Sequence, residues 1–479
     1  MTQRYSNGRG RLVPYKLLAV AGIILACLYV VAALTLVERP AAKVALIFIP
    51  ALAIYFALNL QKSIYILILA IFLPIRIYLT AIPELSLGEV FIPFIFIVLI
   101  FDLFAFPESG RQKVKIPAPV WIFFLLGLIS YLRNPGLPTQ LLSRTLATSN
   151  FRFYWNFFIG FMVYFSIRYL MTGGREERIK KVIKILFLLQ VVIIGIFLIM
   201  IQADISGIPL LPGLPWEVHR YGPGYIRAGF LGNAGQILFL IFLAGLIPAK
   251  RRWVKAASFL LAVTALVLSG GRGVILSVAL PLIFYFFLKK KYLLGFGFIL
   301  AWALALYFLI LAPEGILTRV PFSFRRAFLL TDQAQHLGPE NAFSSMSWRL
   351  EMWRDAWALI KKNPVFGVGV QKLGYLRSLL PTQMMGILSG GAHNVYLGTM
   401  LVLGFPGFIA FVWLMGYHFR RAYILLKQSG RGLEQKFYLW LFLSLLAFSV
   451  EFFFARGPDD LWVFFFVLAL INCVPRQEK

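Results

Sequence analysis

The chain has 479 residues, of which 60% are hydrophobic and 14% charged, and its formal net charge is +28. A soluble domain carries about 45–50% apolar residues, so a water-soluble globular protein is excluded. The positive charge would suggest nucleic acid in a soluble chain, but much of the excess sits in short gaps between long apolar segments, as in membrane loops. No nucleic-acid partner is expected.

Segment after segment offers the roughly 17–25 apolar residues needed to cross ~30 Å of hydrocarbon. The alternating strands of about ten residues that build a membrane barrel are absent from the pattern. The expectation is an all-α polytopic membrane protein. The first apolar segment, 17–37, follows Arg4, Arg9, Arg11 and Lys16. It exceeds the roughly 7–15 residues of a cleaved signal's apolar region, so it reads as a retained span.

About fourteen spans fit: 15–37, 42–60, 63–80, 88–106, 117–132, 151–171, 182–202, 228–247, 254–269, 273–288, 292–312, 394–416, 437–454 and 459–474. The segments 117–132 and 273–288 are the weakest, so the range is about twelve to fourteen. Three parts are expected: a membrane bundle over 1–312, a large outer loop over 313–393, and further spans of the same bundle over 394–479. The two cysteines, Cys27 and Cys473, lie at opposite ends and form neither a disulfide framework nor a metal-ligand spacing.

Orientation follows from the basic gaps. If the N-terminus is cytoplasmic, so are Arg111, Lys113 and Lys115; Arg175, Arg178, Lys180 and Lys181; Lys250, Arg251, Arg252 and Lys255; the Lys289–Lys291 run; and Arg420, Arg421, Lys427, Arg431 and Lys436. All fall on one side, which the positive-inside rule predicts, and both termini are then cytoplasmic. Only the gap around Lys62 is weakly charged. The opposite face receives loops 133–150, 203–227, 313–393 and 455–458.

Only 313–393 is large enough for a small domain. The pattern predicts a helix over 346–361, capped by Ser345 or Ser347 and ended by Pro364. Trp348, Trp353 and Trp357 give it a broadly shared aromatic face. Such a helix either lies flat at the membrane interface or packs on the bundle.

An ionisable residue near bilayer depth is costly and is a functional candidate by default. Arg272 stands in Ser269-Gly270-Gly271-Arg272-Gly273, between two apolar segments with almost no loop. Glycines there permit close backbone approach and an anion-binding concavity, and an arginine can grip phosphate in bidentate fashion. The competing reading is a tight turn with a snorkelling arginine. Arg227 follows a Pro- and Gly-rich loop at the start of the eighth expected span and is either an interfacial anchor or a second phosphate ligand. His393 stands where the large loop returns to apolar sequence, followed by Asn394 and then Gly404 and Gly407. An imidazole there can exchange protons near neutral pH, or it is a satisfied structural group. His219, His336 and His418 read as structural. The sequence has no Asp-x-Asp pair, phosphate-loop motif or His-Glu-x-x-His motif, and its one adjacent aspartate pair is Asp459-Asp460. No metal site and no cofactor are expected.

Three motifs in order resemble the O-antigen ligase and polymerase family of bacterial envelopes: Ser-Gly-Gly-Arg272-Gly; Trp348-Arg349 and Trp353 leading to Asn363-Pro364-Val365-Phe366-Gly367-Val368-Gly369; and His393-Asn394 with Gly404 and Gly407. With Arg227 before Gly232-Asn233, the likeness runs from about 227 to 407, and the N-terminal spans match only in general hydropathy. The resemblance implies a GT-C-like glycosyltransferase, metal-independent and inverting, in the bacterial inner membrane with its active site on the periplasmic face. The implied donor is a glycan on undecaprenyl diphosphate. The implied acceptor is a lipid A-core sugar for a ligase of lipopolysaccharide biosynthesis, or another carrier-linked glycan for a polymerase. It also implies that Arg227 and Arg272 hold the diphosphate and that His393 is the base. Arg349 and Asn394 are further candidates for substrate binding. One departure bears on the ligase assignment: Gly407 is followed by Phe408-Ile409, where some ligases carry Thr-Thr. A lipid-linked oligosaccharide flippase is the rival outside the family, but repeated halves are not evident and so large an outer loop is unexpected for it.

Overall fold

The computed structural model describes residues 62–72, 76–77, 85–105, 114–133, 148–171, 175–205, 218–222, 225–248, 251–269, 271–311, 345–369, 393–430, 432–454 and 461–473. The expected spans 15–37 and 42–60, most of the loop 313–393, and His336, Asp459 and Asp460 lie outside the described residues. In hydrocarbon every backbone polar group must be satisfied within the protein, which favours helices. The described chain accordingly forms an all-α membrane bundle, with two short antiparallel pairings as its non-helical regular structure.

In chain order the helices and strands are α1 (Ser63–Phe72), β1 (Arg76–Ile77), β2 (Leu85–Ser86), α2 (Leu87–Ala105), α3 (Ala118–Arg133), α4 (Thr148–Leu170) and α5 (Arg175–Ile205). Then follow β3 (Val218–Gly222), β4 (Tyr225–Ala228), α6 (Gly229–Leu243), α7 (Arg252–Leu268), α8 (Arg272–Leu288) and α9 (Tyr292–Leu311). The chain continues with α10 (Ser345–Lys362), α11 (Val395–Gln428), α12 (Leu433–Glu451) and α13 (Trp462–Asn472). Among the described residues, three helical segments are long and apolar enough to cross a membrane: Glu176–Ile199, Val395–Gln428 and Leu433–Glu451. Shorter apolar helices accompany them.

Two elements depart most from the expected spans. The segment 63–80 is helical only to Phe72, and Ile77 then pairs with Leu85 and Arg76 with Ser86. Pro74 follows closely, and a proline disfavours helix in the residue before it while offering no N–H. The segment 394–416 extends instead to Gln428. Arg420, Arg421 and Lys427 are good helix formers and suit a helix C-terminus electrostatically.

Helix α11 is broken. Gly404 has φ 73° and ψ −173°, and Pro406 follows it. The backbone groups beside the break find partners elsewhere. The Val368 N–H donates to Leu401 O at 2.7 Å, and the Phe405 N–H donates to Pro364 O at 2.8 Å. The Ser130 hydroxyl of α3 donates to Val402 O at 3.1 Å. Backbone meets backbone so closely that a Cβ on Gly367, whose φ is 67°, would stand 2.6 Å from Leu401 O. A Cβ on Gly404 would overlap the Val365 carbonyl. The Asn363–Gly369 stretch and Gly404 are thus two halves of one joint.

Helix α10 is held by the same joint. Met352, Ile360 and Val368 pack with Met400 and Leu401, and Trp357 meets Phe405 edge-on at 6.3 Å. Of the two readings of the loop helix, packing on the bundle describes these contacts.

Lipid tails are as apolar as leucine, so packing and interhelical hydrogen bonds hold such a bundle together. Fully buried aromatics supply much of the packing. Phe123 of α3 lies 5.2 Å from Phe157 of α4 and 5.4 Å from Phe411 of α11, and Phe464 of α13 lies 5.0 Å from Phe452. Such ring pairs contribute about 0.5–1.5 kcal/mol each beyond area burial. His418, fully buried, bonds Leu414 O at 2.7 Å through Nδ1 and Asn472 Nδ2 at 2.6 Å through Nε2. The carbonyl requires Nδ1 to donate, so Nε2 accepts from the amide. Asn472 Nδ2 also donates to Tyr164 OH at 2.8 Å. His418 therefore ties α11, α13 and α4 together.

Replacing Gly404 with alanine should lower stability by about 1–3 kcal/mol, since the residue is left-handed and closely packed. The Gly416→Ala variant is the control, because nothing lies within 4 Å of a Cβ there. Thermal unfolding of the detergent-solubilised variants checks this. Equal midpoints for the two would show that the joint does not need glycine.

Candidate functional site

The turn between α7 and α8 is built by a serine and two glycines. Ser269 Oγ donates to Leu266 O at 2.7 Å and accepts from the Gly271 N–H at 3.2 Å. Arg272 is the first residue of α8, and its N-cap, Gly271, provides no side-chain cap. A helix start of this kind carries partial positive charge on its first N–H groups and suits an anion. The next residue is glycine for a packing reason: a Cβ on Gly273 would stand 2.6 Å from Phe454 Cβ.

His393 precedes α11 with φ 45°, in the left-handed region that few residues other than glycine adopt. Its side chain is half-buried. Asn394 is buried, and its Oδ1 accepts from the Leu397 N–H at 3.1 Å, capping α11. The Val395 N–H donates to Phe452 O at 2.7 Å, and the Tyr396 hydroxyl donates to Ser449 O at 2.9 Å. The Tyr396 ring also packs on Phe453, with centroids 4.8 Å apart. The start of α11 is therefore clamped to the end of α12.

Arg227 lies in β4, with His219 of β3 as its register partner, two residues before α6 begins at Gly229. The loop expected over 203–227 holds most of this short hairpin, and the helix begins at Gly229, one residue after the expected start of the span. The first turn of α6 packs closely on the Arg272 turn, since a Cβ on Gly232 would stand 2.9 Å from Ser269 Cβ and 3.3 Å from Val274. A chain of close contacts follows: α6 against 269–274, Gly273 against Phe454, and Phe452 against Val395. It draws the backbones of Arg227, Arg272 and His393 to one end of the bundle. For Arg227 and Arg272 the described part is the backbone. Arg349 is half-buried on α10, which docks on α11 at Met400 and Leu401, near the break at Gly404 and away from the helix start that follows His393.

Three polar residues not anticipated from the sequence meet at this end. Gln236 Nε2 donates to Ser277 Oγ at 2.6 Å and to Glu451 Oε2 at 3.2 Å. Ser277 Oγ donates to Val274 O at 2.6 Å, in the first turn of α8. Gln236 and Ser277 are buried and Glu451 is half-buried. A signal for Glu451 was present, since it is the one acidic residue in the apolar stretch 437–454. The adjacent pair Asp459-Asp460 was the more conspicuous acidic feature.

Two helix starts, one without a side-chain cap and one preceded by His393, thus meet the same segment 452–454. No curated protein matches the chain. A family model described as O-antigen ligase matches residues 256–412, about a third of the chain. The matched segment includes Arg272, Arg349, His393 and Asn394 and excludes Arg227 and Glu451. It supports a ligase- or polymerase-type function and suggests a glycosyltransferase-like enzyme acting on a lipid-linked glycan and an acceptor. With the apolar helices and the ordered motifs, this match shows that the segment 256–412 is similar to the O-antigen ligase family.

Proposed function

We propose that this chain is a metal-independent, inverting glycosyltransferase of the bacterial inner membrane, with both termini cytoplasmic and its site on the periplasmic face. It moves a glycan from undecaprenyl diphosphate to a sugar hydroxyl of the lipid A core. The observation that carries the reading is the shared turn 452–454, which meets both the helix start bearing Arg272 and the helix start following His393. In this reading the segment keeps the anion-binding element and the proton acceptor near each other.

In the proposed step, His393 removes the proton from the acceptor hydroxyl. The oxygen forms a bond to the anomeric carbon of the donor sugar. The bond from that carbon to the diphosphate oxygen breaks, and its electron pair leaves with undecaprenyl diphosphate. A single displacement inverts the anomeric centre. Arg227, Arg272 and the first N–H groups of α8 offset the charge growing on the leaving group, which is where fixed dipoles and charges contribute most. Two guanidinium groups can balance a diphosphate without a metal ion. Arg349 is proposed to contact substrate from the loop helix. Asn394, whose amide oxygen caps α11, serves by fixing the backbone that presents His393.

A second reading within the family, a polymerase joining carrier-linked repeats, draws on Gly407-Phe408-Ile409 in place of Gly-Thr-Thr. Gel analysis of the glycan in a deletion strain separates the two. Loss of a ligase leaves long chains on the carrier, whereas loss of a polymerase leaves single repeats on the lipid acceptor.

His393→Ala should reduce transfer by about 10²–10⁴-fold, the usual contribution of a general base, in a purified assay with lipid-linked donor and acceptor. Near-normal transfer would remove His393 from the mechanism. Arg272→Lys should also be poor, because an ammonium group cannot reproduce the bidentate fork. Wild-type activity in that variant would count against diphosphate clamping.

A further inference from the structure

We infer that Glu451 is a positioning residue of the proposed transfer site, and that its negative charge is required for the role. It is the last residue of α12 and is followed at once by the turn 452–454. Through that turn it neighbours both helix starts: Phe452 accepts from Val395, two residues after His393, and Phe454 packs on Gly273, one residue after Arg272. Through its side chain it reaches α8 by a second route. The bonds run from Gln236 to Glu451, from Gln236 to Ser277, and from Ser277 to Val274 O.

The directions of these bonds are mutually dependent. An amide nitrogen has two hydrogens, and Gln236 directs one to Ser277 and one to Glu451. A flipped amide would turn its oxygen toward an ionised carboxylate, with acceptor facing acceptor. The charge on Glu451 therefore selects one orientation of Gln236, and Gln236 in turn holds Ser277 against the first turn of α8. A neutral residue at 451 would accept the same bond more weakly, since charge-assisted hydrogen bonds are roughly twice as strong as neutral ones.

The carboxylate also occupies a doubly unfavourable place. It lies in an otherwise apolar membrane segment, where charges are costly. It stands at the C-terminal end of a helix, whose partial negative charge repels it. A tie between three helices needs only a neutral amide. An acidic side chain kept here fits a site where cationic groups and a charged substrate must be held in register.

The inference rests on the transfer reading above, and one set of assays tests both. Wild-type protein and the variants Glu451→Gln, Glu451→Asp, Gln236→Leu and His393→Ala are reconstituted in liposomes with undecaprenyl diphosphate-linked glycan and a lipid A-core acceptor. Thermal midpoints are measured beside kcat and donor KM. The Glu451→Gln variant keeps an acceptor for Gln236 and should unfold at the wild-type temperature. Its kcat should fall at least about tenfold with donor KM changed by no more than about threefold, as small misplacements of reacting groups do. Glu451→Asp should recover part of the loss. Adding Gln236→Leu to Glu451→Gln should cost less than the sum of the two separate losses, because both act on the same chain of hydrogen bonds.

Wild-type kcat in Glu451→Gln, with His393→Ala inactive, would overturn this inference and leave the transfer reading intact. A fall in kcat that tracks a falling thermal midpoint across the Glu451 variants would also overturn it, in favour of a purely structural tie. Wild-type protein that transfers no glycan would overturn the transfer reading and this inference with it.

Discussion

A broken helix in a membrane leaves backbone groups that lipid cannot satisfy, and the break at Gly404 is the constraint on which this end of the bundle depends. The 364–368 backbone closes it, with Val368 and Phe405 donating across the joint and Ser130 adding a third bond from α3. The half-helix 395–403 is thereby anchored at one end. At its other end Asn394 caps it and Val395 is bound to Phe452. A segment pinned at both ends can hold the left-handed backbone of His393, which a free chain would relax. The same joint draws α10 onto α11, so the docked part of the large loop is built into the wall of the bundle.

Polar groups inside the bundle divide into two kinds. The His418–Asn472–Tyr164 chain is buried, and its histidine is bonded at both ring nitrogens. It fixes how α4, α11 and α13 sit together. The groups around 452–454 include a half-buried histidine and a half-buried carboxylate, beside a helix start with no side-chain cap. The first set keeps helices in register, and the second is the one on which the proposed transfer site draws. Aromatic packing of α3, α4, α11, α12 and α13 gives both sets a rigid surround, because close-packed interiors transmit displacement rather than absorb it.

Much of the fold was legible in the chain. Segments near 88–106, 182–202, 292–312 and 437–454 became helices within a few residues of where hydropathy placed them, apart from α5, which begins several residues earlier. Less legible was where a helix yields to another structure. Ile77 and Leu85 pair as strands inside or beside apolar sequence, and the end of the expected loop 203–227 forms a hairpin that hydropathy does not mark. Hydropathy measures transfer to an apolar phase and is nearly blind to backbone conformation. Gly404 and Gly367 were visible as motif residues, but their mutual contact was not, because nothing local marks two glycines as partners.

The sequence alone determined that the chain inhabits a membrane, because its apolar runs match the thickness of hydrocarbon, and its motifs pointed to one family. It also marked Arg227, Arg272 and His393, since ionisable groups at such depth are costly enough to stand out. Tertiary structure decided which distant residues share one turn. The 452–454 segment meets residues 273 and 395, and Gln236 joins Ser277 to Glu451 across more than two hundred positions of sequence. Such contacts depend on how helices pack in three dimensions, and a one-dimensional pattern of apolar and charged residues carries no record of that.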